Sequence, residues 1–323
     1  MSDSTINRTA TEIRRRQVFT PRDEGSYCHM NELKLSVVIP AYNEEQNLPP
    51  VLAELSQELQ AAEIPYEIVV VNDNSRDGTA DVVNEIALRN GRIRLVNRTA
   101  PNGFGRAVRS GIDHVTGDVV VVYMADASDH PIDVVRYYRK IEEGFDCVYG
   151  SRFIPGGRVV EYPRLKLYAN RIVNKLLQWF FLVPFNDLTN AFKAYRTSVV
   201  RDCGPYRACH FNITIEMSLN AIIRKYNIAQ IPIAWTGRTW GSSNLRLREM
   251  GRRYLATLLK VIAEKLLIAD DLMAERLANR AVRESELIEQ GQRLAFLEHR
   301  MSTAEERLDK VERGHTPWAR EAA

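Results

Sequence analysis

The segment MADASDHP (124–131) follows four consecutive valines and a tyrosine. So apolar a run reads as a fully buried strand, and Asp126, Ser128 and Asp129 then stand where the strand gives way to a loop. Two carboxylates in such a place form a hard-oxygen site. Mg²⁺ or Mn²⁺ suits one or two carboxylates completed by phosphate oxygens of a substrate. The same residues also fit a turn that caps a helix beginning near Pro131.

Three more clusters fall at the ends of expected strands. VVIPAYNEEQNL (37–48) ends a strand at Pro40–Ala41 and continues through Tyr42, Asn43 and Glu44. A carboxylate there can meet a ribose or a base edge, or can simply cap a helix. IVVVNDNSRDGT (68–79) places Asp73 at a second strand end, where it accepts from a ligand or from its own turn. Asn102–Gly103–Phe104–Gly105–Arg106–Ala107 joins a strand to a helix but lacks the third glycine of a dinucleotide fingerprint, since Val108 stands there. Downstream, Arg152 and Arg238 lead into loops, the latter with Ser243. Arginine forks match phosphate oxygens, although a single arginine more often makes a surface ion pair. Glu216, in FNITIEMSL, is a spare carboxylate.

These residues need a scaffold that brings strand ends together. Strands are expected at 35–41, 66–73, 93–97, 117–126, 146–153 and 228–235. Helices are expected at 43–62, 79–89, 106–115, 164–181 and 212–226. The alternation predicts a mainly parallel sheet covered on both faces, with ligands at the carboxyl ends of its strands. Residues 1–33 are polar and aperiodic, and read as a disordered or loosely docked arm. The α/β domain spans 34–245, and 246–323 reads as a helical extension. There, Leu266, Met273, Leu287, Leu294, Met301 and Leu308 recur in heptad register. That pattern predicts a coiled coil over about 266–311 and a homo-oligomer, or one amphipathic helix packed on its own domain.

Composition excludes several classes. A net charge of +3 without a basic–aromatic patch argues against nucleic acid. Four cysteines without CxxC spacing give neither a disulfide framework nor a thiolate zinc site, as in a reducing compartment. The N-terminal residues lack the apolar core of a secretory signal, and no run is long enough to span a bilayer. Trp179–Phe180–Phe181, with Lys166, Arg171 and Lys175 nearby, instead suits a helix lying in a membrane interface or a buried core helix. The expected location is cytoplasmic, peripherally on a membrane.

Over residues 35–260 the chain resembles the family-two glycosyltransferases of the GT-A fold. Within them it is similar to the polyprenyl-phosphate sugar transferases, the dolichol-phosphate mannose synthase-like group. The carriers are VVIPAYNEEQNL, EIVVVNDNSRDGT, NGFGRAVRSG, GSRF, DLTNAFKAYR and the R-x-x-G-x-S loop. The resemblance implies an inverting transfer from a nucleoside diphosphate sugar to a polyprenyl phosphate. It implies nucleotide contacts at Pro40, Ala41, Tyr42, Glu44 and Asp73, with Asn102, Gly103 and Ser128 beside them. Asp126 and Asp129 would hold Mg²⁺ or Mn²⁺, and Arg152, Arg238 and Ser243 would lie near the phosphates. Two departures stand out: the usual acidic pair after strand two is Asn72–Asp73, and the usual D-x-D is Asp126–Ala127–Ser128 followed by Asp129. A hydroxyl acceptor would need a base, for which Glu216 is the candidate, with a structural role on its helix as the equal alternative. A catalytically silent nucleotide-sugar-binding scaffold is the reading from another class.

Overall fold

A computed structural model of the chain describes residues 32–237 and 251–270, together with Arg293. Strand and helix alternate strictly through β1 (Leu35–Ala41), α1 (Leu48–Ala61), β2 (Tyr66–Asn72), α2 (Thr79–Arg89), β3 (Ile93–Asn97), α3 (Phe104–His114), β4 (Val119–Val122) and α4 (Pro131–Glu142). Then follow β5 (Cys147–Ser151), β6 (Arg158–Val160), α5 (Arg164–Phe181), β7 (Lys193–Arg196), α6 (Thr197–Asp202), α7 (Ile213–Ile223), β8 (Ile228–Pro232) and β9 (Ala234–Thr236). Residues 251–270 form α8.

Seven strands make one sheet in the order β3-β2-β1-β4-β7-β5-β8. All neighbours are parallel except where β7 runs antiparallel between β4 and β5. β6 and β9 form a small parallel sheet of their own. The order reverses between β1 and β4, so the switch point lies at the carboxyl ends of those two strands. Alternation along the strands builds two cores. Val37, Ile39, Ile68, Val70, Val119 and Val121 face α1, α2 and α4. Val38, Val69, Val71, Val120 and Val122 face α3, α6, α7 and part of α5. Each fully buried valine contributes about 1.5–3 kcal/mol, so β4, only four residues long, is a firm base for the loop beyond it.

Several elements differ from expectation, each for a local reason. The first helix begins at Leu48, not Asn43. Asn43 is left-handed, at φ 56°, and residues 43–45 are tied across to 75–78 instead. Pro49 and Pro50 then occupy the helix start, where a missing N–H costs nothing. β4 stops at Val122, because Tyr123 already donates its hydroxyl to the Asp129 carbonyl at 2.6 Å and draws the chain into a loop. The strand expected over 228–235 breaks at Ile233 into β8 and β9, which serve different sheets. β6, β7 and α6 carry no sequence signal of their own length.

The C-terminal extension docks on the domain at its start. Val261 of α8 is buried, and Tyr254, Leu258 and Ile262 pack beside it against the α7 core. The alternative of a helix packed on its own domain therefore holds for 251–270. The heptad positions from Met273 onward, like the arm before residue 32, lie outside the described residues.

At the centre of the sheet, Lys193 is 1% exposed. Its ammonium donates to the carbonyls of Leu188 at 2.7 Å and Asn190 at 2.6 Å. Burial pushes its pKa down to about 7 from 10.5, and Arg152 adds to the effect while Asp187 opposes it. Between those two values the unfolded chain holds a proton that the native chain lacks, so stability rises with pH. The penalty is complete below about 7. Urea unfolding at pH 7 and at pH 8.5 should therefore show a positive slope that Lys193→Met flattens. Equal slopes in the two proteins would contradict the neutral lysine.

Candidate functional site

The carboxyl ends of β1, β2 and β4 converge on one edge of the sheet, and two loops there are zipped together. The Asn43 amide donates to Ser75 Oγ, the Arg76 amide to Asn43 Oδ1, and the Glu44 amide to Thr79 Oγ1. Glu45 and Asp77 exchange bonds with the opposite backbone. Pro40 and Ala41 end the buried β1, and Tyr42 is partly exposed above them. The Glu44 side chain is buried and accepts from Asn47 Nδ2 at 2.6 Å, ahead of α1.

Asp73 organises the neighbouring loop. One carboxylate oxygen takes the Gly103 amide at 2.6 Å, and the other takes the Arg98 guanidinium. Asn102 donates to the Asp73 carbonyl at 2.7 Å. The sequence pointed to Asp73 and to Asn102–Gly103 separately, and the fold joins them. Arg98 was missed, because nothing marks a single arginine after β3. Gly103 is required by crowding: a Cβ there would collide with the Cys209 carbonyl.

The acidic loop after β4 is the most unusual part of the site. Asp126, Ser128 and Asp129 are all buried. Ala127 between them is left-handed at φ 57°, a conformation that costs a non-glycine residue about 1–3 kcal/mol. The Ser128 amide donates to Asp126 Oδ1 at 3.2 Å. The backbone of the loop is pinned to β9 by an Asp129–Trp235 bridge and by the Thr236 amide on the Ser128 carbonyl. Yet neither carboxylate oxygen of Asp129 makes a well-formed hydrogen bond, and the Met124 amide only partly offsets its burial. Burial, and next the charge of Asp126, push its pKa well above the usual carboxylate range. A buried carboxylate with both oxygens orphaned beside a second carboxylate fits a hard divalent cation. Among the described residues no cluster of three or more His, Cys, Asp or Glu forms, so any cation here would rest on Asp126 and Asp129 and on ligands from outside those residues.

Arg152 lies near Asp129 but is not a free fork. Its amide, Nε and Nη2 all donate to Asp187, at 3.1, 2.8 and 2.7 Å. Burial disfavours its charge, and Asp187 outweighs that and raises the guanidinium pKa. Arg152 is thus held by an ion pair with Asp187, here buried rather than at the surface, with the rings of Phe153 and Tyr162 near it. Glu216 stands apart from these groups on α7. It is 1% exposed and accepts from the amides of Arg207 and Ala208 and from Lys260. Of the two roles expected for Glu216, base or structural group, its contacts are those of a strut that ties α8 to the 207–208 backbone. Arg238 and Ser243 lie outside the described residues.

Two outcomes follow. Asp73→Ala leaves Arg98 and the Gly103 amide without their acceptor and should lower the unfolding free energy by roughly 3 kcal/mol. Chemical denaturation measures it, and an unchanged midpoint would refute the organising role. Asp129→Asn removes a buried carboxyl whose charged form is disfavoured by burial and by Asp126. In chelator it should raise Tm by a few degrees, while Mn²⁺ affinity, read by electron paramagnetic resonance, falls at least tenfold. A variant less stable in chelator than the parent would show that the Asp129 charge is satisfied.

Comparison with known proteins places this geometry. Residues 36–204 match the family model described as glycosyl transferase family 2. The polyprenol monophosphomannose synthase of Mycolicibacterium smegmatis is 31% identical over 215 residues, covering 65% of this chain and 80% of that one. The dolichol-phosphate mannosyltransferase of Pyrococcus furiosus is 29% identical over 220 residues, or 66% of this chain and 60% of that relative's length. Among solved structures, glucosyl-3-phosphoglycerate synthase from Mycobacterium tuberculosis, in complex with Mn²⁺, uridine diphosphate and glucosyl-3-phosphoglycerate, superposes with a TM-score of 0.55. At 22% identity over 71% of this chain and 80% of that one, it shows the shared fold. The expected α/β GT-A architecture is the one observed, and the chain belongs to glycosyl transferase family 2 as a glycosyltransferase.

Proposed function

We propose that the protein moves a sugar from a nucleoside diphosphate sugar to a polyprenyl phosphate, with Mg²⁺ or Mn²⁺ bound by Asp126 and Asp129. The observation that carries this reading is the Asp129 carboxylate, buried at the switch point with both oxygens orphaned. The names of the two relatives supply the acceptor class. When bound, the cation supplies neutralisation of charge on the departing diphosphate. The protein's own residues do the positioning. Asp73, Asn102 and Gly103 shape the nucleotide edge, with Pro40, Ala41, Tyr42 and Glu44 across from it. Ser128 fixes Asp126, and the Arg152–Asp187 pair sets the field beside Asp129.

An acceptor phosphate is already ionised and needs no base. Its oxygen attacks the anomeric carbon as the bond to the donor phosphate breaks on the opposite face, which inverts the centre. A hydroxyl acceptor would need a base, and the carboxylate named for it, Glu216, is taken up by two amides and Lys260. This favours the phosphate acceptor.

Among the described residues no helix is long and apolar enough to cross a membrane. α5 instead presents Leu165, Tyr168, Ile172, Leu176, Trp179 and Phe180 to solvent, at helical spacing, while Leu177 and Phe181 are buried. Arg164, Arg171 and Lys175 are exposed on the same helix. An apolar stripe with cations beside it suits the interface of an anionic bilayer, where a lipid-linked acceptor resides.

The test is a screen of radiolabelled nucleotide sugars with Mn²⁺ and polyprenyl phosphate, following label into the organic phase. Label should appear with one donor and fall at least a hundredfold in Asp126→Ala. Nucleotide release with label only in water would overturn the lipid acceptor, and no turnover with any donor would favour the scaffold. Separately, Trp179→Glu with Phe180→Glu should abolish co-sedimentation with anionic vesicles while leaving Tm within a few degrees. Retained vesicle binding would remove α5 from the membrane model.

A further inference from the structure

One side of α8 carries an apolar stripe that nothing among the described residues covers. Leu255, Leu259 and Leu266 are 58%, 61% and 62% exposed. On a helix of 3.6 residues per turn they lie within about 40° of one another. A different side of α8 holds it to the domain, through the buried Thr257 and Val261 and through Lys260, which reaches Glu216. Ile262 is half-buried against the α7 core, so the stripe runs along the rim of that contact. Leucines exposed in a row, unlike leucines scattered singly, mark a surface that meets something else.

The stripe is in phase with the sequence that follows it. Leu259 and Leu266 stand two heptads and one heptad before Met273, and the same count reaches Leu287, Leu294, Met301 and Leu308. These are the a positions of one heptad repeat. Leu255 takes a d position, as do the exposed Ala269 and, further on, Leu297, Ala304 and Val311. Arg276, Arg280 and Arg283 fall on the same seam and divide it, yet the register is identical on both sides. Polar residues on such a seam fix its register and its number of strands, at a cost in stability. Beyond residue 270 only Arg293 is described, so the pattern there is one of sequence.

The charges beside the seam select the partner. Its g positions 293, 300 and 307 are arginine, and its e positions 298, 305 and 312 are glutamate. In a parallel, in-register pair of identical helices, each g residue meets the e residue five positions later on the other chain. Arg293 then faces Glu298 of the second copy, Arg300 faces Glu305 and Arg307 faces Glu312, and the two-fold axis repeats each pair. An antiparallel pair would set arginine against arginine and glutamate against glutamate. A bilayer would leave the charge pattern without a role. We propose that α8 and the sequence after it pair with a second copy of this chain as a parallel, two-stranded coiled coil, which begins on the catalytic domain at Leu255, Leu259 and Leu266. Parallel pairing places both catalytic domains at the same end of the coil.

The test is sedimentation equilibrium of the full chain, with neither sugar donor nor lipid present. The parent should be a dimer at micromolar concentration. Leu259→Lys with Leu266→Lys should weaken the dimer at least tenfold. Both side chains are exposed, so thermal unfolding of the domain should stay cooperative. Arg300→Glu with Arg307→Glu should weaken the dimer too, and so should Glu305→Arg with Glu312→Arg, because like charges then face each other. An equimolar mixture of those two charge variants should restore it. A parent that is monomeric throughout the micromolar range, or larger than a dimer, would overturn the proposal. So would a dimer indifferent to the leucine pair, or charge variants that keep the parent's affinity or fail to recover on mixing. A monomeric parent whose co-sedimentation with anionic vesicles is lost in the leucine variant would assign the stripe to a bilayer instead. None of these readings depends on transferase activity.

Discussion

The structure depends on the burial of one carboxylate that the protein does not satisfy. Burying a carboxyl without well-formed hydrogen bonds is costly, and burial pushes the Asp129 pKa well above the usual range, which favours its protonated form where no cation is bound. Proteins usually relax such a group by moving it. Here every route is closed. β4 is clamped by parallel β1 on one side and antiparallel β7 on the other. The Asp129 carbonyl is held by Tyr123, and its backbone is bridged to Trp235. The nearest cation that could swing in, Arg152, is occupied on three atoms by Asp187. The strain at Asp129 is therefore built into the loop, and the proposed cation site would relieve it.

The same logic orders the neighbouring parts. A sheet that only needed stability would pair Arg152 with Asp129 directly. Arg152 is neutralised in part by Asp187, yet its charge still acts to lower the Asp129 pKa. The antiparallel β7 makes this possible, since the connection into it carries Asp187 to the end of β5, where Arg152 lies. Lys193, one strand residue further on, binds the carbonyls of Leu188 and Asn190 and so fixes the loop that holds Asp187. Its neutral tendency at moderate pH limits the cost of that arrangement.

What was legible in the sequence was local. The four valines of β4, the β1 and β2 runs and the α5 boundaries all follow from period and composition, because each is decided by the residues within it. The convergence of Pro40, Asp73, Asn102 and Asp126 on one edge follows from the alternation of parallel strands. What stayed hidden depends on pairings between distant residues. Arg152 and Asp187 are 35 positions apart, and Lys260 reaches Glu216 across 44. No window of sequence reveals that Arg152 is spent, or that a carboxylate on α7 is a strut. Asn43 misled for a subtler reason: an asparagine followed by two glutamates is a good helix start, but it also tolerates the left-handed turn that the cross-loop bonds to Ser75 and Arg76 demand.

That distinction between local and distant also bears on how the catalytic edge is tuned. Asp73 holds Gly103, Gly103 begins α3, and the first turn of α3 hangs from the Cys209 carbonyl. Cys209 belongs to the same segment whose amides are gripped by Glu216, and Glu216 is gripped in turn by Lys260 of α8. A continuous chain of short contacts thus runs from the Asp73 loop to the C-terminal helix. Its links are hydrogen bonds between groups that are mostly buried, so a displacement at one end cannot be absorbed by water in the middle. The described part of the extension, 251–270, is therefore linked through Glu216 to the backbone on which Gly103 rests.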